Sequence, residues 1–171
     1  MELLIGCGSN PARKIAIGGR TEWSALTTLD MSEDHNPDVV HDLAVLPYPF
    51  ADDTFDEIHA YDVLEHQGQQ GDWQFFFAQW SEFYRILKHG GYFAGICPKA
   101  FSPWAWGDPG HTRIISPECL VYLSQDEYAK QVGITPMTDY RFCYKAHFNV
   151  VALDCNTLQD GWQFVLQAVK Q

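Results

Sequence analysis

The feature that most constrains this chain is its first eight residues, Met1-Glu-Leu-Leu-Ile-Gly-Cys-Gly8. Leu3, Leu4 and Ile5 run straight into a Gly-x-Gly turn. A short apolar strand ended by two glycines reads as the start of a parallel α/β sheet whose first loop lets backbone approach a ligand. Gly6 and Gly8 would allow that approach without a Cβ clash. Taken alone, the turn also fits an ordinary strand end.

The following segments extend the pattern. An apolar segment, Ala25–Leu29, ends in Asp30, and Asp38–His41 ends at Asp42-Leu43. A fourth strand is predicted over Phe55–Tyr61, where acidic and apolar residues alternate. From Asp72 to Lys88 the apolar residues Phe76, Trp80, Phe83, Tyr84 and Leu87 recur at three-and-four spacing, which predicts an amphipathic helix. Lys88-His89-Gly90-Gly91 reads as its basic last turn and glycine cap. A fifth strand is expected over Tyr92–Cys97, then a long loop over Lys99–Ser116. A helix follows from Ser116-Pro117-Glu118 to about Gln131. Two terminal strands, near Ala146–Asp154 and Trp162–Val169, form a hairpin. Only a short stretch separates Gly8 from Asp30, and Gly18-Gly19 interrupts it. A parallel crossover normally carries a helix there, so the first helix is expected to be short or missing. One sheet face would then be thinly covered, and a homodimer burying it fits that expectation.

Composition excludes several classes. A chain of 171 residues, 46% hydrophobic and 19% charged, suits one soluble globular domain. No stretch approaches the ~18 apolar residues of a membrane span, and no signal peptide is expected at the amino terminus. The net charge of −11 with only 11 basic residues disfavours a nucleic-acid substrate. The five cysteines are scattered without a Cys-x-x-Cys pair, which suits a reducing cytoplasm and argues against a disulfide framework or a zinc site. His35, His41, His59, His89 and His147 show no ligand-like spacing, so no metal site is expected.

Five segments together resemble class I S-adenosylmethionine-dependent methyltransferases. They are Leu4-Ile-Gly-Cys-Gly8, Leu29-Asp30-Met31, the run from Asp42 to Asp56, Asp62-Val-Leu-Glu-His66, and Arg85-Ile-Leu-Lys-His-Gly-Gly-Tyr-Phe93. They span residues 2–97, and Gly-x-Gly-x-Asn-Pro suggests a small subgroup with a reduced first helix. The resemblance implies a Rossmann-like three-layer α/β sandwich with a mostly parallel seven-stranded sheet and an antiparallel last strand. It implies one domain over 1–171: a cofactor half, 1–98, and a half with acceptor loop, helix and terminal hairpin, 99–171.

The resemblance also implies roles. Gly6, Cys7 and Gly8 would pass the amino-acid end of S-adenosyl-L-methionine, and Asp30, with Met31 beside it, would accept the ribose hydroxyls. Asp42 would take the adenine amino group next to the Leu43 backbone, while Asp56 is largely architectural. Tyr61 and Asp62 end the fourth strand, where ligands bind in open α/β sheets. His66 follows near the acceptor entry. The loop Phe101–Arg113 offers Trp104, Trp106, Asp108 and Arg113 to a small-molecule acceptor, or else forms a lid over the core. His111 and His66 are the first candidates for a general base, with Asp108 weaker. The product would be S-adenosyl-L-homocysteine. Two other readings compete. A nicotinamide oxidoreductase shares the glycine turn but needs a third glycine where Pro11 stands. A catalytically inactive, methyltransferase-like scaffold has no use for Asp30 and Asp42.

Overall fold

The computed structural model describes residues 1–170. Seven strands form one sheet: β1 (Glu2–Ile5), β2 (Leu26–Asp30), β3 (Val39–Val40), β4 (Phe55–Tyr61), β5 (Leu87–Pro98), β6 (Phe148–Asp154) and β7 (Gly161–Ala168). Their order is β3-β2-β1-β4-β5-β7-β6. β1 to β5 pair in parallel, and β7 lies antiparallel between β5 and β6. This is the expected Rossmann-like architecture, with the expected terminal hairpin.

Alternation along the strands separates two faces. Leu3, Ile5, Phe55, Ile58, Ala60 and Phe93 point into the main core. Helix α1 (Trp73–Ile86) covers that face with Phe76, Phe77, Trp80, Phe83 and Ile86, all buried. Asp72 starts the helix by accepting the Phe75 N–H at 3.0 Å. The helix ends two residues earlier than its periodicity suggests. Leu87 is fully buried and already pairs with Phe55, so sheet pairing displaces the expected glycine cap. Gly90, at φ 75°, lies inside β5 instead.

Two further differences concern the second half. The loop after β5 contains a short helix, α2 (Pro103–Gly107), capped by the Ser102 hydroxyl on the Trp104 N–H at 3.1 Å. The helix expected from Ser116 to Gln131 divides into a 3-10 segment, Pro117–Leu123, and helix α3 (Gln125–Gln131). Ser124 sits between them in extended conformation and caps α3, so its hydroxyl restarts the helix rather than continuing one.

No helix joins β1 to β2 among the described residues. The connecting chain itself covers the second face. Ile17 packs on Ala94 and Val165. Lys14, with its side chain wholly buried, reaches Glu2 at 2.8 Å and Glu57 at 3.2 Å. Arg20 also pairs with Glu57, and His59 meets Glu57 at 3.0 Å. Trp23 stands edge-on to His59 at 4.8 Å, with the Lys14 ammonium 5.0 Å from its ring. A charged network thus takes the place of a helix on this face. Among the described residues no helix is long and apolar enough to cross a membrane.

Candidate functional site

The sheet order reverses between β1 and β4. Their outgoing connections leave toward opposite faces, so a crevice opens at their carboxyl ends. Gly6 and Gly8 form one wall. Both have positive φ, +59° and +54°, but their surroundings differ. A Cβ on Gly6 would lie 2.4 Å from Val63 Cγ2, whereas nothing lies within 4 Å of one on Gly8. Gly6 therefore serves contact with the loop after β4, and Gly8 presents open backbone. Cys7 between them is buried and donates its N–H to the Leu29 carbonyl at 3.2 Å.

Asp30 joins this wall. Its carboxylate accepts the Gly8 N–H at 3.0 Å and the Ser32 N–H at 2.9 Å, one on each oxygen. Burial pushes its pKa up, but those two N–H groups outweigh it and hold the carboxyl below its ordinary value. His35 Nδ1 stands 3.1 Å from the same oxygen that accepts the Ser32 N–H, so it is the other oxygen, on the Gly8 N–H, that keeps a lone pair for a ligand hydroxyl. Met31 is exposed beside it. Asp42 is exposed and uses one oxygen on the Ala44 N–H at 2.9 Å, shaping its own turn. Leu43 is buried, its carbonyl accepting the Tyr48 hydroxyl at 3.2 Å.

The loops after β4 and β5 make the opposite wall. Tyr61 faces the covering chain: its hydroxyl accepts the Ile15 N–H at 2.8 Å and meets His59 Nδ1 at 2.6 Å. Asp62, at φ 54°, donates its N–H to the Ile96 carbonyl and lies 3.8 Å from the Arg13 guanidinium. The chain from Gly110 to Ile114 then folds back along residues 65–70. Thr112 and Arg113 donate their N–H groups to the Glu65 carbonyl at 2.9 and 3.2 Å. That return places His111 over Glu65.

His111 Nε2 is 3.9 Å from both Glu65 Oε1 and Asp108 Oδ2. The His66 ring meets the His111 ring edge-on at 4.5 Å, and its Nδ1 lies 3.1 Å from the Gly110 carbonyl. Glu65 is 2% exposed, and neither carboxyl oxygen has a hydrogen-bond partner. Burial pushes its carboxyl up to about 8, and the nearby charges of Asp62 and Asp108 add to the rise. A cavity of about 390 Å³ opens here, lined by Arg13, Asp62, Glu65, Ile96, Trp104 and His111 among others.

The structure thus brings together His66, His111, Asp62, Trp104 and Asp108. It does not bring Trp106 to them, and Arg113, whose backbone joins Glu65, directs its guanidinium away to the Gln67 and Asp72 carbonyls. Trp106 is exposed, its indole N–H on the Ala100 carbonyl at 2.9 Å. Arg113 is buried 5.1 Å from the Phe76 ring centroid and lines a separate pocket of about 330 Å³ with Trp73, Tyr122 and Tyr140. Sequence reasoning gave no role to Glu65 or Arg13. Glu65 stands inside the quoted Asp62–His66 segment, but its burial depends on a loop more than 40 residues away.

The family described as a methyltransferase domain matches residues 3–95, more than half of the chain. Solved structures with the same fold include three named as methyltransferases. A SAM dependent methyltransferase from Aquifex aeolicus is 14% identical, with a TM-score of 0.62 over 98% of this chain and 81% of that one. The N-methyltransferase NodS from Bradyrhizobium japonicum, in complex with S-adenosyl-L-homocysteine, is 13% identical, with a TM-score of 0.59 over 99% and 78%. A SAM dependent methyltransferase from Archaeoglobus fulgidus is 16% identical, with a TM-score of 0.57 over 97% and 85%. At these identities the likeness is one of fold. No curated protein matches the chain.

Proposed function

The chain belongs to the methyltransferase-domain family, and we propose that it transfers the methyl group of S-adenosyl-L-methionine to a small-molecule acceptor, releasing S-adenosyl-L-homocysteine. The observation that carries this reading is the pairing, across one crevice, of the Gly8–Asp30 wall with the cavity of Asp62, Trp104 and His111. The residues present fit the cofactor. Gly8 offers backbone with open space where a Cβ would stand. Asp30 is held as a carboxylate by two N–H groups with His35 beside it, and its oxygen on the Gly8 N–H retains a lone pair for a ribose hydroxyl. Gly6 and Cys7 shape the turn, Met31 and Asp42 are exposed near the adenine side, and Leu43 anchors that turn in the core.

When bound, S-adenosyl-L-methionine supplies a methyl on a sulfonium whose departure leaves a neutral thioether. The protein therefore has little developing charge to stabilise, and its work is alignment and exclusion of water. Asp62 and Trp104 line the acceptor cavity, and Asp108 borders His111. Trp106 and Arg113 would act from outside that cavity. A hydroxyl or amine acceptor also carries a proton that must leave, and His111 and His66 are the groups placed to deal with it.

The test is turnover with methyl-labelled cofactor across a panel of small hydroxyl and amine acceptors, read as labelled product and S-adenosyl-L-homocysteine. His111→Ala is expected to lower turnover roughly 10²-fold while leaving homocysteine-product binding unchanged. Full turnover in both His111→Ala and His66→Ala would remove the histidines from the reaction. Cofactor binding with no turnover on any acceptor would favour the inactive scaffold.

A further inference from the structure

We propose that Glu65, His66 and His111 bind a divalent transition-metal ion of the zinc class, set into the wall of the acceptor cavity. The sequence spacing predicts no metal site, because the donors come from two separate loops. Folded, one ligand atom from each of the three lies within 4.8 Å of the others. Donors around a tetrahedral zinc at ~2.1 Å stand about 3.4 Å apart. The three would therefore need only small side-chain movements to close on an ion.

Glu65 is the second, independent observation. It is 2% exposed, aimed at His111, and both its oxygens lack partners. A buried carboxyl without a hydrogen-bond partner is destabilising. A cation supplies the missing partner. His111 Nδ1 is likewise buried without a partner. His66 is oriented as metal-binding imidazoles are: its Nδ1–H donates to the Gly110 carbonyl, which puts the lone pair on Nε2. Two imidazoles and one carboxylate form a donor set suited to zinc and its neighbours rather than to magnesium or calcium. Three protein ligands beside an open cavity leave a coordination position for an exogenous oxygen.

The role of such an ion rests on the methyl-transfer reading, although the site itself does not. An acceptor hydroxyl in the open position would lose its proton to solvent more readily. Its oxygen would then form the new bond to the methyl carbon as the carbon–sulfur pair returns to sulfur. With the ion bound, the two histidines would hold the metal and the proton would leave to solvent, in place of a direct transfer to either imidazole.

The experiment uses the full chain after chelator treatment, titrated with Co²⁺ as a spectroscopic probe and then with Zn²⁺ in competition. One Co²⁺ should bind with ligand-field bands and no thiolate charge-transfer band, and Zn²⁺ should displace it. Glu65→Gln and His111→Ala should each weaken binding at least tenfold. Glu65→Gln is isosteric and has no hydrogen bond to lose, so its unfolding midpoint should match the parent and keep the comparison valid. No uptake of Co²⁺, a thiolate band pointing to the cysteines, or unchanged affinity in both variants would overturn the proposal. Product binding measured on the same samples separates the two readings: metal without homocysteine-product binding sinks methyl transfer alone, and the reverse sinks the metal site alone.

Discussion

A methyl group added at Gly6 would meet Val63 Cγ2 at 2.4 Å, while one added at Gly8 would meet nothing within 4 Å. Both positions share the left-handed backbone that costs a non-glycine residue about 1–2 kcal/mol. Gly6→Ala adds overpacking of about 1–3 kcal/mol, so its total loss of stability is expected at about 2–5 kcal/mol. Gly8→Ala should cost only the backbone part, yet weaken cofactor binding, because its open space faces the crevice. Urea unfolding and calorimetry on the two variants check this; equal stability losses would contradict it. Two glycines that look equivalent in the sequence thus divide packing from binding. Asp30 was legible because a strand-ending acid after a glycine turn is a recognisable pattern. The engagement of Tyr61 by Ile15 and His59 was not, since it depends on a connection with no regular structure.

At the scale of elements, the chain between β1 and β2 shows why β4 misleads a reader. Glu57 and His59 alternate with apolar residues and read as a half-exposed strand, yet both are 0% exposed. Lys14 is what makes their burial tolerable, contacting Glu2 and Glu57 together. Lys14→Met should cost about 3–5 kcal/mol, because it leaves buried Glu2 without a countercharge and Glu57 with Arg20 alone; a change under ~1 kcal/mol in chemical denaturation would refute that role. The same network sets a pH dependence. Burial holds the His59 pKa below its ordinary 6.5, so between those values the unfolded chain binds more protons. The His59 contribution is therefore full above about pH 6.5 and is lost as pH drops, while buried Glu65, with its carboxyl pushed up to about 8, contributes in the opposite direction over the same range. Burial pushes the Glu2 carboxyl up, but its bonds to Lys14 and Ser24 outweigh that and hold it below 4.5, so a further loss follows at lower pH. Unfolding free energies measured from about pH 7.5 to about pH 5 on the parent and on His59→Asn should show the parent losing stability relative to the variant as pH drops; parallel curves would contradict the His59 contribution. The periodicity of α1 was legible, but its end was not, because Leu87 pairs with Phe55 and sheet hydrogen bonding overrides a glycine cap.

For the whole molecule, the mostly parallel seven-stranded sheet with its terminal hairpin was legible from strand-ending acids and glycines taken in sequence and the family they resemble, while the strand order β3-β2-β1-β4-β5-β7-β6 came from the structure. The site divides differently. Its cofactor wall follows from local motifs at the ends of β1 and β2. Its acceptor wall exists only because residues 110–114 return along residues 65–70, a contact that no local pattern announces. The central claim is that the Gly8–Asp30 wall holds S-adenosyl-L-methionine. Calorimetric titration of the protein with this cofactor and with S-adenosyl-L-homocysteine, in parallel on Asp30→Ala, tests it most directly. The account predicts micromolar binding that weakens at least tenfold in the variant, about 1.4 kcal/mol. Absence of binding to either ligand by the parent protein, or equal affinity in Asp30→Ala, would contradict it.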